Sequence, residues 1–267
     1  MQQFVNFLIY NVIFVSVCVL SYKIIIEKHM EPSYCRRLLT DMLWLPLLVV
    51  PMCKVVNMGY VKLYLNGNTL LVVLMIYLLG VMLGLIMSAV NFFRLNRIKK
   101  RSRQYYVGTW KVYLHNLDNL GCFSWNRCVF IPENKIESDP DELNMILAHE
   151  NAHVYLFHWL DLTVVNLLLI FQWFNPFMWY LKRELQRIHE CEADRKVISD
   201  NDIEQLKYEK FLIQEASRKQ MGGLISNLSF SSLKYRLIMM NKKILDKNIV
   251  ERSSIIIAIA TAFVIMF

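Results

Sequence analysis

No two cysteines of this chain form a CxxC pair; Cys18, Cys35, Cys53, Cys122, Cys128 and Cys191 are scattered along its 267 residues. That spacing suggests neither a disulfide framework nor a cysteine zinc site, and the thiols read as reduced packing residues. Charge is also scarce: 19% of residues are charged against 55% hydrophobic, with a mean hydropathy of +0.32. A soluble domain of this length is not so apolar, which places the chain in the membrane class. The first apolar run has no basic leader before it and no small-residue cleavage site after it, so it reads as a retained span rather than a signal peptide. No internal repeat or low-complexity tract is evident.

Apolar runs cover residues 4–26, 42–57, 69–93 and Ser253 to Phe267. Several approach the roughly 20 residues that a helix needs to cross a hydrocarbon core about 30 Å thick. The expected organisation is therefore three transmembrane helices over 1–93, a polar body over 94–248, and a fourth transmembrane helix over 249–267 that ends inside its apolar run, as though cut short. The net charge of +8 is densest just after the third run, at Arg94, Arg97, Lys99, Lys100, Arg101 and Arg103. Basic residues beside spans accumulate on the cytoplasmic side. Counting back gives an outside N-terminus, an inside connection 27–41 carrying Lys28, Arg36 and Arg37, and a sparsely charged outside connection 58–68. A phosphate-binding reading of the cluster is the alternative, but direct nucleic-acid binding is not expected.

Within the body, Trp110 to Leu114 alternates like a strand and Cys128 to Ile131 ends at Pro132, which predicts a small β-hairpin or sheet. Ser138, Asp139 and Pro140, followed by Asp141 and Glu142, read as a capped helix start. Residues 161–181 are apolar enough to cross again, but Asn166, Gln172 and Asn175-Pro176 interrupt them. At membrane depth such a break needs covering protein or a cavity.

His149-Glu150-Asn151-Ala152-His153 fits HExxH. Residues four apart share one helix face, so both imidazoles can reach one Zn²⁺ while Glu150 lies beside the water that the ion acidifies. Glu190 and Asp194 again lie four apart, which suggests Glu190 as third ligand and Asp194 as an acceptor that orients a ligating imidazole. His189 competes for the ligand role, Glu192 reads as a solvated or paired carboxylate, and His158 as a packing histidine or one supporting a ligand. With no glycine between His153 and His158, the three-histidine metzincin pattern fails. A shared metal also forbids 161–181 from crossing, since His153 and Glu190 would then stand about 30 Å apart. The run is expected to turn back at Asn175-Pro176 or to lie as a buried or interfacial hairpin.

The three leading spans, ILAHENAHV at 146–154, FQWFNPFMWYLKREL at 171–185 and HECEADRKV at 189–197 together resemble the BlaR/MecR-type membrane metallopeptidases, the antirepressor and signal-transducing proteases of bacterial β-lactam resistance and their relatives. The resemblance implies a mainly α membrane protein of the bacterial cytoplasmic membrane, with a gluzincin-like zinc domain between the third and fourth spans that faces the cytoplasm. It implies Glu190 as third ligand, and cleavage of a polypeptide substrate, either a transcriptional repressor or the chain itself. Family members commonly continue into a sensor beyond the fourth span, so β-lactam binding is not carried over. Competing readings are a quality-control or prenyl-protein (CAAX-type) processing metalloprotease, and a non-catalytic scaffold in the bilayer. Met221 to Ser232 has a loop composition and reads either as an ordinary connecting loop before the basic helix around Lys234 to Lys243 or as a self-cleavage segment, around Ser229 and Phe230.

Overall fold

The structure is a computed structural model that describes residues 2–23, 31–55, 66–107, 110–117, 120–137, 139–200, 203–221 and 227–241. It is mainly helical with one small mixed sheet. The chain divides into two compact units, one formed by residues 1–90, 164–185 and 244–267, the other by 91–163 and 186–243.

In the first unit, α1 (Gln2–Ser21) and α2 (Pro32–Val55) pack together. Val15, Cys18, Val19 and Tyr22 are buried, as are Cys35, Leu39, Met42 and Leu43; both sets follow the three-four spacing of a helix face. The predicted connection 27–41 is corrected here, because the chain is already helical from Pro32. Proline suits the first helical position, and Cys35 and Leu39 supply a buried face that offsets the nearby arginines.

The third helix, α3 (Gly67–Arg101), has 35 residues and spans about 52 Å at 1.5 Å per residue. Among the described residues it is the one single helix long and apolar enough to cross a membrane. Of the three expected leading spans, one meets the test among the described residues. The apolar stretch of α1, Phe7–Leu20, is shorter than a span needs, and α2 carries Arg36, Arg37 and Asp41 in its first half. The expected fourth span, 249–267, lies outside the described residues.

The sheet of the second unit has the order β1-β2-β4-β3, from β1 (Arg103–Val107), β2 (Trp110–His115), β3 (Phe123–Trp125) and β4 (Cys128–Pro132). β1 pairs with β2 and β3 with β4 antiparallel, while β2 and β4 run parallel. Asn126 and Arg127 connect β3 to β4 in two residues, both with positive φ (44° and 61°), the backbone of the tight hairpin turn whose twist matches its strands. One sheet face, Val112, Leu114, Val129 and Ile131, packs on Leu143 and Leu147 of α4 (Pro140–Tyr155). On its other side α4 buries Met145, Ile146 and Ala148 against Val197, Tyr208, Phe211 and Leu212. These last four belong to α6 (Pro176–Asp200) and α7 (Gln205–Met221). Each large apolar side chain so buried is worth about 1.5–3 kcal/mol, so α4 is fixed from two sides. Its start lies where the sequence places it: Asp139 occupies the cap position, though without a side-chain cap bond, and Pro140 with Asp141 and Glu142 forms the first turn.

After α4 the chain bends by 56° into α5 (His158–Phe171), and Phe157 at the bend has a φ of 57°. α5 ends before Asn175, and Pro176 opens α6. Asn175 Oδ1 accepts the Phe177 amide at 3.1 Å, a side-chain cap followed by proline at the first helical position. His158 pairs with Glu192 and Asp161 with His189. The first pair lies 17 positions either side of Asn175 (175 − 158 and 192 − 175), the second 14 (175 − 161 and 189 − 175), so α5 and α6 run antiparallel about that turn.

The turn packs on α3 within the first unit. Tyr77 Oη donates to Phe171 O at 3.2 Å, and Trp173 Nε1 donates to Tyr77 O at 3.3 Å. A Cβ at Gly80 would overlap the Trp173 ring, and one at Gly84 would meet Ile170 at 3.5 Å. Small residues at such spacing let helices in lipid approach closely.

The final described helix, α8 (Asn227–Met240), corrects a further expectation. The sequence places Asn227–Ser232 with Met221 in one loop, yet Ser229 and Phe230 lie in the first turns of α8, while 222–226 fall outside the described residues. Contacts further along supply the missing propensity: Met239 is buried, Tyr235 lies under the Arg187 guanidinium at 3.9 Å, and Leu233 packs beside the α4–α7 core.

Candidate metal centre

Packing on both flanks of α4 leaves one face for His149, Glu150 and His153, all half-buried. α6 brings Glu190 to the same place. His149 Nε2 and His153 Nε2 lie 3.2 Å apart. Glu190 Oε2 is 3.4 Å from His149 Nε2, and its Oε1 is 3.5 Å from His153 Nε2. Donors about 2.1 Å from a tetrahedral ion stand roughly 3.4 Å from each other. Two imidazoles and a carboxylate at these separations have the spacing of three donors to one tetrahedral ion, and among the described residues they are the group that could hold a metal.

The protonation pattern of these groups has the same origin. Burial alone would lower the pKa of His149, but hydrogen bonds with Asp194 and Glu190 raise it to about 9. Burial and the neighbouring charge of His149 lower His153 to about 3. Glu190 would be raised by burial, yet the hydrogen bond and charge of His149, with Arg236 beside it, hold it well below the carboxylate range. One proton shared beneath an ionised carboxylate occupies ground that a dication would take.

Behind His149, Asp194 Oδ1 lies 3.2 Å from Nδ1 and is fully buried. Tyr208 Oη sits 2.9 Å from His149 Nδ1 and donates to Asp194 Oδ1 at 2.9 Å. Arg236 of α8 then closes the network: Nε donates to Asp194 Oδ2 at 2.7 Å, Nη2 to Oδ1 at 2.5 Å, and Nη1 lies 3.1 Å from Glu190 Oε2. Burial would push the Asp194 carboxyl up, but the Arg236 charge and hydrogen bonds, helped by His149, keep it below its ordinary value.

The remaining candidates separate cleanly. His189 Nε2 bonds Asp161 at 3.0 Å and is not in the donor group. Glu192 is buried and bonds His158 at 3.0 Å. Tyr208 and Arg236 escape the sequence reading: Tyr208 is one tyrosine of 13, and Arg236 stands in an ordinary basic helix without spacing to an acid that would single it out.

Residues 120–240 match the BlaR1 peptidase M56 family. A stretch of 106 residues is 31% identical to the regulatory protein BlaR1 of Bacillus licheniformis, covering 39% of this chain and 18% of that protein. The chain thus spans under a fifth of the length of this relative in the matched part. Both findings support the BlaR/MecR-type family, a family of metallopeptidases, as the motifs predict.

Proposed function

We propose that this chain is a membrane-embedded zinc-dependent endopeptidase of regulated proteolysis or transmembrane signalling. His149, His153 and Glu190 hold the metal, Glu150 is the general base, and Asp194 orients His149. The observation that carries the reading is the convergence, within 3.2–3.5 Å, of two Nε2 atoms from the α4 turn that also bears Glu150 and the Glu190 carboxylate from α6. When bound, zinc supplies Lewis-acid chemistry, acidifying water and polarising a carbonyl. Glu150 takes the proton of the attacking water and returns it to the leaving amine nitrogen, a role worth about 10²- to 10⁴-fold in rate. His149 keeps Nε2 towards the metal by committing its Nδ1–H to Asp194 and Tyr208. The edge strand β3, which packs beside α4, suits an extended substrate added to the sheet.

The substrate is a polypeptide, either a transcriptional repressor or the chain itself. Self-cleavage at Ser229 and Phe230 requires the first turns of α8 to unwind, since an extended strand is the form such a site accepts. The chain resides in the bacterial cytoplasmic membrane with its N-terminus outside and the metal centre facing the cytoplasm. The α5–α6 hairpin enters the bilayer and returns, its turn seated near the middle of the apolar stretch of α3, by Gly80. The deciding experiment compares purified wild type with Glu150→Gln. The variant retains stoichiometric zinc and loses proteolysis; full activity in it refutes the assignment.

A further inference from the structure

The zinc reading leaves one question at the second histidine: what fixes its ring. We propose that His158 and Glu192 are positioning residues for His153, a hydrogen-bonded relay that dictates which of its nitrogens faces the metal. The proposal rests on the zinc reading and assigns residues that it does not use.

The relay follows from distances and from what imidazoles can donate. His153 Nδ1 lies 2.7 Å from His158 Nδ1, and His158 Nε2 lies 3.0 Å from Glu192 Oε2. Two ring nitrogens at hydrogen-bond distance share one proton, because neither two protons nor two lone pairs can face each other there. A ligating His153 presents its Nε2 lone pair towards His149 and Glu190, so its proton is on Nδ1. His158 Nδ1 is then the acceptor, and its own proton sits on Nε2, where the Glu192 carboxylate receives it. One tautomer set satisfies all three residues, and the buried carboxylate at its far end sets the direction.

Three further features show that the arrangement is built rather than incidental. His158 and Glu192 are 2% and 9% exposed, and a buried polar group persists where its partners are supplied. The Phe157 backbone is held at a φ of 57°, a left-handed conformation that residues with side chains rarely adopt; this bend brings the ring after it back onto His153. The His158 ring also lies flat on His189, with centroids 4.0 Å apart and planes 8° apart, which fixes it from the side.

The two metal histidines are thereby supported differently. Nδ1 of His149 meets a carboxylate and a phenol directly, whereas Nδ1 of His153 meets a carboxylate only through a neutral ring. Partners behind a ligand typically contribute 10- to 100-fold in metal affinity.

The test uses the full chain in detergent, with zinc affinity from chelator competition and the Co²⁺ absorption spectrum as readouts. His158→Phe keeps a flat ring against His189 but has no nitrogen. Glu192→Leu removes the acceptor, and Glu192→Gln keeps a side-chain oxygen to accept from His158. His158→Phe and Glu192→Leu are each expected to weaken zinc about 10- to 100-fold and alter the cobalt spectrum, with Glu192→Gln recovering most of the affinity. Because the relay is linear, the double variant His158→Phe/Glu192→Leu is expected to be no weaker than His158→Phe alone. Asp161→Asn, in the neighbouring histidine–carboxylate pair, serves as control for burial and folding and is expected to bind zinc as wild type does. Unchanged zinc affinity in both single variants, or additive losses in the double, overturns the relay while leaving the zinc reading intact. Failure of the wild type itself to bind zinc overturns both, and is distinguished by its appearing before any variant is made.

Discussion

Replacing Arg236 by methionine removes the one guanidinium that meets both Asp194 and Glu190, and keeps most of the side chain's length. Asp194 is fully buried, and the Arg236 side chain is 15% exposed, so water does little to screen their attraction. Two of the three contacts form a paired fork onto one carboxylate, the strong geometry for arginine. Breaking such a buried pair from one side typically costs about 3–5 kcal/mol, because the remaining charge keeps its burial and loses its partner. Chains of 150–250 residues lose roughly 2–4 °C of melting temperature per kcal/mol, so Arg236→Met is expected to melt on the order of 6–20 °C below wild type. The assay is a thermal melt of the purified full chain at constant zinc. If the stranded carboxylate is the cause, Arg236→Met/Asp194→Asn removes it and recovers part of the loss. A single variant that melts with wild type, or a double variant that melts lower still, would refute the reasoning.

Acid should act on the Glu142–Arg218 pair in a defined direction. The hydrogen bond from Arg218, more than charge alone, holds the Glu142 carboxyl below its ordinary value. A group lowered in the folded state stabilises above its unfolded pKa of about 4.3 and loses that contribution as pH falls through its folded value. The melting difference between wild type and Arg218→Gln is therefore expected at pH 7 and to vanish well below pH 4; a difference that persists in acid contradicts it. At Gly80, substitution by leucine has no room beside Trp173. Gly80→Leu is expected to lower yield of folded protein while Leu79→Ala, at an exposed neighbour, does not. For topology, cysteines placed at Asp139 and Ser199 in a background free of native cysteines are expected to react from the cytoplasmic side alone. Opposite sidedness of the two would sink both the hairpin and the shared metal site.

The candidate donor group is legible because helical geometry leaves a short-range signature: His149 with His153, and Glu190 with Asp194, each declare a shared face by spacing alone. The turn at Asn175-Pro176 was legible for a similar reason, since both residues act within two positions of themselves. What remained hidden depends on contacts far apart in sequence. Nothing local marks Arg236, 42 positions from its partner Asp194, or Tyr208, whose phenol works only because α7 packs on α4. The same blindness explains the misread start of α8: serine and asparagine favour loops locally, but Met239 and the Arg236 anchors hold the helix from its other end. Helix α2 was misplaced because hydropathy finds its apolar half and is silent about the polar half that precedes it.

The contact between Trp173 and Gly80 also bears on the order of biosynthesis. On the re-entrant reading, a hairpin whose turn exposes backbone groups to lipid gains partners on α3: the Phe171 carbonyl accepts from Tyr77 Oη, and Trp173 Nε1 donates to the Tyr77 carbonyl. Its receiving surface is α3, and Trp173 follows Gly84 by 89 positions (173 − 84). At roughly 5–20 residues per second, the ribosome gives α3 a lead of about 4–18 s over the segment that must lodge against it. The groove is thus synthesised before its occupant, and moving the hairpin ahead of α3 by circular permutation would deprive the nascent chain of that docking site.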